Sequence, residues 1–254
     1  MIEVYHGHTS VCSLKVRFVL AEKGIEWKGH LLDLEKDDQK QPYYLKLNPK
    51  GVVPTLVHDG IPIVESTVIN EYLDQVFPEP PLKPVAPLAQ ARMRVWTKMV
   101  DEILHPAFAG INISTNPRFQ IIGSKTPEEI EQYLIRIPDP DRREKQRQVI
   151  KLGLDAPTFA SSVKLFDKTL AEMEETLSDS LWLAGHSYSL ADVSLASYIA
   201  RIDMLAWSGM WETARPRVTD WVSRIKSRPS YNNAFDTFIT PDVSKKITAR
   251  GNDA

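Results

Sequence analysis

Val53-Pro54-Thr55-Leu56-Val57-His58-Asp59-Gly60-Ile61-Pro62-Ile63-Val64-Glu65-Ser66 is the stretch that decides the fold. Two strand-like runs, 53–58 and 61–64, flank Asp59-Gly60, the pair favoured in a two-residue hairpin turn. Ser66 then stands as the cap of a helix whose apolar stripe is Ile69, Tyr72, Leu73 and Val76. Upstream, Ile2 to Tyr5 predicts a short strand. Val11, Leu14, Phe18 and Ala21 fall on one helical face that stops at Gly24, and His30 to Leu34 predicts a second strand. A helix between the first two strands implies a parallel pair, and the hairpin makes the sheet mixed. Pro54 at the start of a predicted strand does not suit a central one. It suggests an exposed edge, which would offer the Val53 backbone to a peptide, or a tight cis turn.

Downstream, Pro78, Pro80, Pro81, Pro84 and Pro87 fix φ at close intervals, so neither helix nor paired strand survives there. The predicted organisation is a first domain at 1–80, a stiff linker at 81–87, a helical domain at 88–240 and a tail at 241–254. In the helical part Met93, Trp96, Val100, Ile103 and Leu104 recur at helical spacing until Pro106 kinks or ends the helix. A second helix starts near Asp155 and Pro157. Ser189-Leu190-Ala191-Asp192 matches a capping box ahead of an almost wholly apolar, hence buried, helix. A last one runs from Pro216 to a stop at Pro229. Between the first two, 116–153 reads as irregular and heavily charged, around Asp139-Pro140-Asp141-Arg142-Arg143-Glu144-Lys145. A solvated segment suits that composition, and a lid over an apolar site is the sharper alternative.

The 254 residues are enough for one large domain or two small ones. Lys and Arg number 31 against 33 Asp and Glu, so no basic surplus marks a nucleic-acid or anionic-membrane binder. No apolar run reaches the roughly 18 residues of a membrane span. Residues 1–5 do not open a secretory signal, and a lone Cys12 cannot close an internal disulfide, so a cytoplasmic setting is expected.

Chemistry is concentrated at two predicted helix starts. Thr9-Ser10-Val11-Cys12-Ser13-Leu14-Lys15-Val16-Arg17 leads into the first, where N–H groups and the helix dipole stabilise an anion, and a hydroxyl or thiol can support a thiolate. The bland alternative is a Ser10 cap and a small buried Cys12. At the second start, Ser66 could take a carboxylate and Glu65 an ammonium, as an amino-acid-like ligand requires; a cap plus a solvated acid is the plain reading. His6 and His8 lack Cys or carboxylate partners at ligand spacing, so no metal site is expected. No dinucleotide or phosphate loop, zinc-binding H-E-x-x-H or nucleophile elbow is present.

The order of these features resembles the cytosolic glutathione transferase superfamily. The β-α-β unit, Asn48-Pro49-Lys50-Gly51-Val52-Val53-Pro54, the hairpin, Glu65-Ser66-Thr67, the proline linker and Ser189-Leu190-Ala191-Asp192 carry the likeness over about residues 1 to 240. It implies an α/β plus all-α fold: a thioredoxin-like domain with a mixed four-stranded sheet, then an all-helical domain, usually in a homodimer. Glutathione would be the co-substrate. Val53 would pair with its cysteinyl backbone ahead of a cis Pro54, and Glu65 and Ser66 would hold the γ-glutamyl end. Lys40 stands where a basic residue often meets the glycine carboxylate, and Asp101 where an acid reaches the γ-glutamyl amine across the dimer.

Within the superfamily, Cys12-Ser13-Leu14-Lys15 resembles the Asn-Ser-Leu-Lys turn of bacterial β-etherases, which cleave lignin-derived aryl ethers. Val64 to Ile69, Arg94 to Lys98, Val100-Asp101-Glu102 and the insertion carrying Ile137-Pro138 are similar too. His8-Thr9-Ser10-Val11 departs from their glycine-rich stretch, and Cys12 is extra. The likeness ranks Ser13 first as the thiol-activating residue, with Ser10 second, as in a zeta-class turn, and Cys12 third. It implies attack of the glutathione thiolate on a hydrophobic, aromatic electrophile against an apolar wall drawn from Trp96, Phe108, Phe119 and Trp207. A zeta-like isomerase, a dehalogenase, a Cys12 thiol-disulfide reductase and a non-catalytic binding module are the alternatives.

Overall fold

In the computed structural model, which describes residues 1–252 apart from 138 and 240 and leaves out the side chains of 35 and 250–252, the sheet forms as the hairpin demands. β1 (Ile2–His6) and β2 (Lys28–Leu31) run parallel across the crossover helix α1 (Val11–Glu22). β3 (Thr55–His58) pairs antiparallel with both β1 and β4 (Ile61–Val64), giving the order β2-β1-β3-β4. Asp59 and Gly60 take φ of 50° and 83°, the left-handed pair a two-residue hairpin needs. β2 ends three residues earlier than predicted. Its chain turns away where the Asp33 N–H donates to the Asp38 carboxylate at 2.8 Å. The Val53–Pro54 bond is cis and β3 is an interior strand, so the proline marks a tight turn ahead of the strand, not an exposed edge.

A short α2 (Pro42–Leu45) precedes the hairpin, and α3 (Ser66–Val76) follows it. Ser66 is not the cap of α3. That position belongs to Glu65, at φ 69°, and Ser66 is the first helical residue. The linker is anchored from the first domain: buried Asp74 accepts the Leu82 N–H at 2.7 Å and pairs with Lys23 at 2.8 Å. Lys23 also donates to the carbonyls of Phe77 and Pro80. These bonds satisfy a buried charge and fix the angle at which the helical half departs.

α4 (Pro87–Met99) passes through a π-helical stretch, Val100–Leu104, into α5 (His105–Thr115), where Pro106 lies in the first turn. The predicted kink is thus absorbed by a change of register. The described residues of 116–153 are mostly helical, contrary to the irregular reading. α6 (Pro117–Ser124), α7 (Pro127–Ile135) and α8 (Pro140–Leu152) each open on a proline, where its missing N–H has no helical partner to lose. Thr126 and Glu129 form a reciprocal capping box, Asp139 accepts the Arg142 N–H at 2.7 Å, and Ile121, Leu134 and Ile150 make a small separate core. The Ile137-Pro138 likeness falls partly outside the described residues.

α9 (Pro157–Thr176) and the buried α10 (Leu190–Asp203) complete the bundle with α11 (Gly209–Glu212), α12 (Pro216–Lys226) and α13 (Pro229–Tyr231). The expected tail is instead α14 (Pro241–Asn252), with Ile247 buried and Thr248 donating to the Met204 carbonyl at 2.9 Å. One main core runs through both halves, because α1 packs on α3 on one side and α10 on the other. Each large side chain buried there, such as Phe18, Trp211 or Trp221, contributes roughly 1.5–3 kcal/mol. Among the described residues no helix is long and apolar enough to cross a membrane.

Candidate active site at two helix N-termini

α1 starts on Ser10, whose hydroxyl accepts the Ser13 N–H at 3.2 Å. Ser13 itself is fully buried, and its Oγ accepts the Gly7 N–H at 3.1 Å. The first-ranked candidate is thus engaged by the loop at Gly7. Successive helical residues point about 100° apart, so only one of Cys12 and Ser13 can face the cleft between the halves. Ser13 turns inward and holds the loop; Cys12 faces out, half-buried.

Cys12 Sγ lies 3.8 Å from both Nδ1 and Nε2 of His105, at the start of α5. The Tyr198 hydroxyl, from α10, is 2.9 Å from His105 Nδ1. Burial pushes the Cys12 thiol up, but the His105 hydrogen bond and charge, the Lys15 charge and the Ser66 hydroxyl more than reverse this, leaving it below its ordinary value. Burial pulls His105 down, yet the bond and charge of Cys12 bring it above its usual range. Each group therefore eases the charged form of the other. Tyr198, raised far by burial, stays protonated and orients the ring.

Two neighbours complete this end. Lys15 is wholly buried and donates to Thr67 Oγ1 at 2.8 Å and to Asp101 Oδ1 at 2.9 Å. Asp101 is thereby engaged by its own chain and ties the π-helical stretch to the first domain. Ser66 brings the start of α3 to the same sulfur. α1 carries no acid at its cap or in its first turn, so its partial positive charge, about half an elementary charge, is unneutralised; α3 has none in its first turn, but Glu65 stands at its cap.

The remaining candidates lie along one loop. Tyr44 Oη and Asn48 Nδ2 donate to the Val52 carbonyl at 2.6 and 2.9 Å, fixing the backbone that leads into Val53 and Pro54. Lys50 pairs with the exposed Glu65 at 2.6 Å, and the Lys40 stem lies against Gly51 while its ammonium pairs with Asp37 at 2.7 Å. His6 is buried and its Nδ1 accepts from Arg17; burial and the Arg17 charge push it down to about 3. His8 Nδ1 meets the Phe238 carbonyl at 2.9 Å. Of the apolar wall, Trp96 and Phe108 are buried in the core, which removes them, and Phe119 and Trp207 retain exposed surface. His105 went unnoticed in the sequence because the adjacent Pro106 drew the reading toward a helix break.

An α/β half whose helix starts converge on a thiol, joined to a helical bundle, places the chain in a known class. Residues 9–76 match the family model described as glutathione S-transferase, N-terminal domain, and 141–224 match its C-terminal domain. The chain belongs to the glutathione S-transferase family and is a glutathione-dependent enzyme. It is 32% identical over 251 residues to Protein LigF of Sphingobium sp. strain SYK-6, covering 96% of this chain and 97% of that one. The crystal structure of beta-etherase LigF superposes with a TM-score of 0.81 over 93% of this chain and 99% of its own. Tetrachloro-p-hydroquinone reductive dehalogenase of Sphingobium chlorophenolicum is 26% identical over 92% of this chain and 95% of that one. A theta-class glutathione S-transferase from Xanthomonas axonopodis pv. citri, solved with glutathione bound, shares the fold at a TM-score of 0.67 and 22% identity, over 92% of this chain and 96% of its own.

Proposed function

We propose that this glutathione transferase cleaves β-aryl ethers, its glutathione lying between the starts of α1 and α3. The likeness to LigF over nearly the whole of both chains carries this reading, and the acid-free start of α1 supports it. Free glutathione ionises near the cysteine reference of about 8.5, so an anion site at the α1 start raises the thiolate fraction at neutral pH. The γ-glutamyl carboxylate suits Ser66 and the α3 N–H groups, its ammonium Glu65 and, across the dimer, Asp101, the cysteinyl backbone Val53, and the glycine carboxylate Lys40. The thiolate attacks the carbon that bears an aryloxy group next to a ketone. A carbon–sulfur bond forms, the carbon–oxygen bond breaks with its electron pair, and the phenolate leaves to take a proton, for which His105 beside Cys12 is the candidate donor. Ser10 and the backbone N–H groups stabilise the thiolate. The functional unit is a homodimer acting in the cytoplasm, with exposed Val68, Leu88, Val95 and Ile103 as candidate contacts, and the activity would serve lignin degradation.

A second reading rests on Cys12. Its thiolate, paired with His105, would attack a mixed disulfide, release the substrate thiolate and be freed by a second glutathione as oxidised glutathione. Product analysis with glutathione separates the two on a panel of a β-aryl ether ketone, a chloroaromatic and a mixed disulfide. A glutathione thioether and a phenol are expected from the ether; turnover of the disulfide alone would give the site to Cys12.

A further inference from the structure

α7 belongs to the helical half, yet Tyr133 sets its ring 5.5 Å from the ammonium of Lys40 in the first domain. Tyr133 is not loose. Its hydroxyl accepts from Nε2 of the buried Gln146 on α8 at 3.0 Å, and its ring packs on the small core of Ile121, Leu134 and Ile150. The capping box at Thr126 fixes the helix that carries it. On the other side, Lys40 lies with its stem along Gly51, two residues before Val53, and about half of its side chain remains open to solvent. Asp37, itself in a left-handed turn at φ 59°, holds the same ammonium from below. A flexible four-carbon stem is thus gripped by a carboxylate from one half and an aromatic face from the other.

We infer that Tyr133 is a positioning residue: it holds the Lys40 ammonium for the glycine carboxylate of glutathione, so the α6–α8 insertion takes part in reading the co-substrate. This rests on the reading that Lys40 meets that carboxylate. The insertion is then more than a solvated addition, because displacing α7 withdraws one of the two grips on Lys40. An aromatic face at this exposure affects a cation by roughly 2- to 5-fold in affinity.

The test compares glutathione with γ-glutamylcysteine, which lacks the glycine, by calorimetry on the full chain. Tyr133→Leu raises the Kd for glutathione about 2- to 5-fold and leaves γ-glutamylcysteine unchanged. Tyr133→Phe, which loses the same Gln146 bond but keeps the ring, retains the wild-type values. In a Lys40→Ala background Tyr133→Leu adds nothing. Equal weakening of both ligands, no weakening of either, or the same loss in the Phe and Leu variants overturns the role of Tyr133. If Lys40→Ala binds glutathione as the wild type does, the Lys40 assignment itself fails; if the wild type binds neither ligand, the functional reading fails.

Discussion

Two serine-capped helix starts, those of α1 and α10, use the same residue to opposite ends. At α10 the box is closed. Asp192 accepts from the Ser189 N–H and hydroxyl, the Leu183 N–H and Trp221 Nε1, all at 2.9–3.0 Å, and every group is buried. At α1 the cap is made by Ser10 alone, no acid follows in the first turn, and a thiol faces the cleft. A helix start whose positive end is neutralised from within builds the fold. One left open has its dipole and N–H groups free for an incoming anion.

The largest expected effect lies on the closed side. Asp192→Ala strands the Trp221 and Leu183 donors in the core, at about 1–3 kcal/mol for each, and urea unfolding should show a loss of at least about 2 kcal/mol. A loss below about 1 kcal/mol would mean the box contributes no more than an ordinary surface cap.

Behind the open start, His6 provides the next test. Its folded value is depressed to about 3 from an ordinary 6.5, so its contribution is present above pH 6.5 and lost as pH falls toward 3. Between pH 7.5 and 4.5 the wild type should lose about 2–3 kcal/mol that His6→Gln does not lose. Equal acid sensitivity in the two proteins would place the acid response elsewhere.

Smaller effects distinguish the groups around the thiol. His105→Ala should slow Cys12 alkylation at pH 7 by roughly tenfold or more, the equivalent of one hydrogen bond to a charged group at about 1.5 kcal/mol. Ser13→Ala should cost about 1 kcal/mol of stability and leave that rate unchanged, since its hydroxyl serves Gly7. A slowed alkylation in Ser13→Ala would show that its hydroxyl also acts on the thiol.

What the sequence made legible follows from locality. Asp59-Gly60, Ser189 to Asp192 and the α1 stripe act within a few residues, and each took its predicted form. Side-chain direction is not local. Whether Cys12 or Ser13 faces the cleft depends on the loop at Gly7, and Ser66 became a first helical residue only because Glu65 takes a left-handed φ. The prolines at 117, 127 and 140 carry opposite meanings inside a helix and at its first turn, and the caps Thr126 and Asp139 lie in a stretch whose charge suggests a solvated segment. The meetings of His105 with Cys12 and of Lys15 with Asp101 span 93 and 86 residues of chain, and no local pattern announces them.

The comparison turns on charge at the α1 start, and Cys12→Asp against Cys12→Asn tests it most directly. The first puts an acid where α8 has Asp141; the second is its neutral isostere. Calorimetry should find glutathione binding kept in Cys12→Asn and lost in Cys12→Asp, while the Asp variant unfolds at equal or higher urea, because the dipole gains about 0.3–1 kcal/mol from its own carboxylate. Equal glutathione affinity in the two variants would contradict an anion site built from an open helix start.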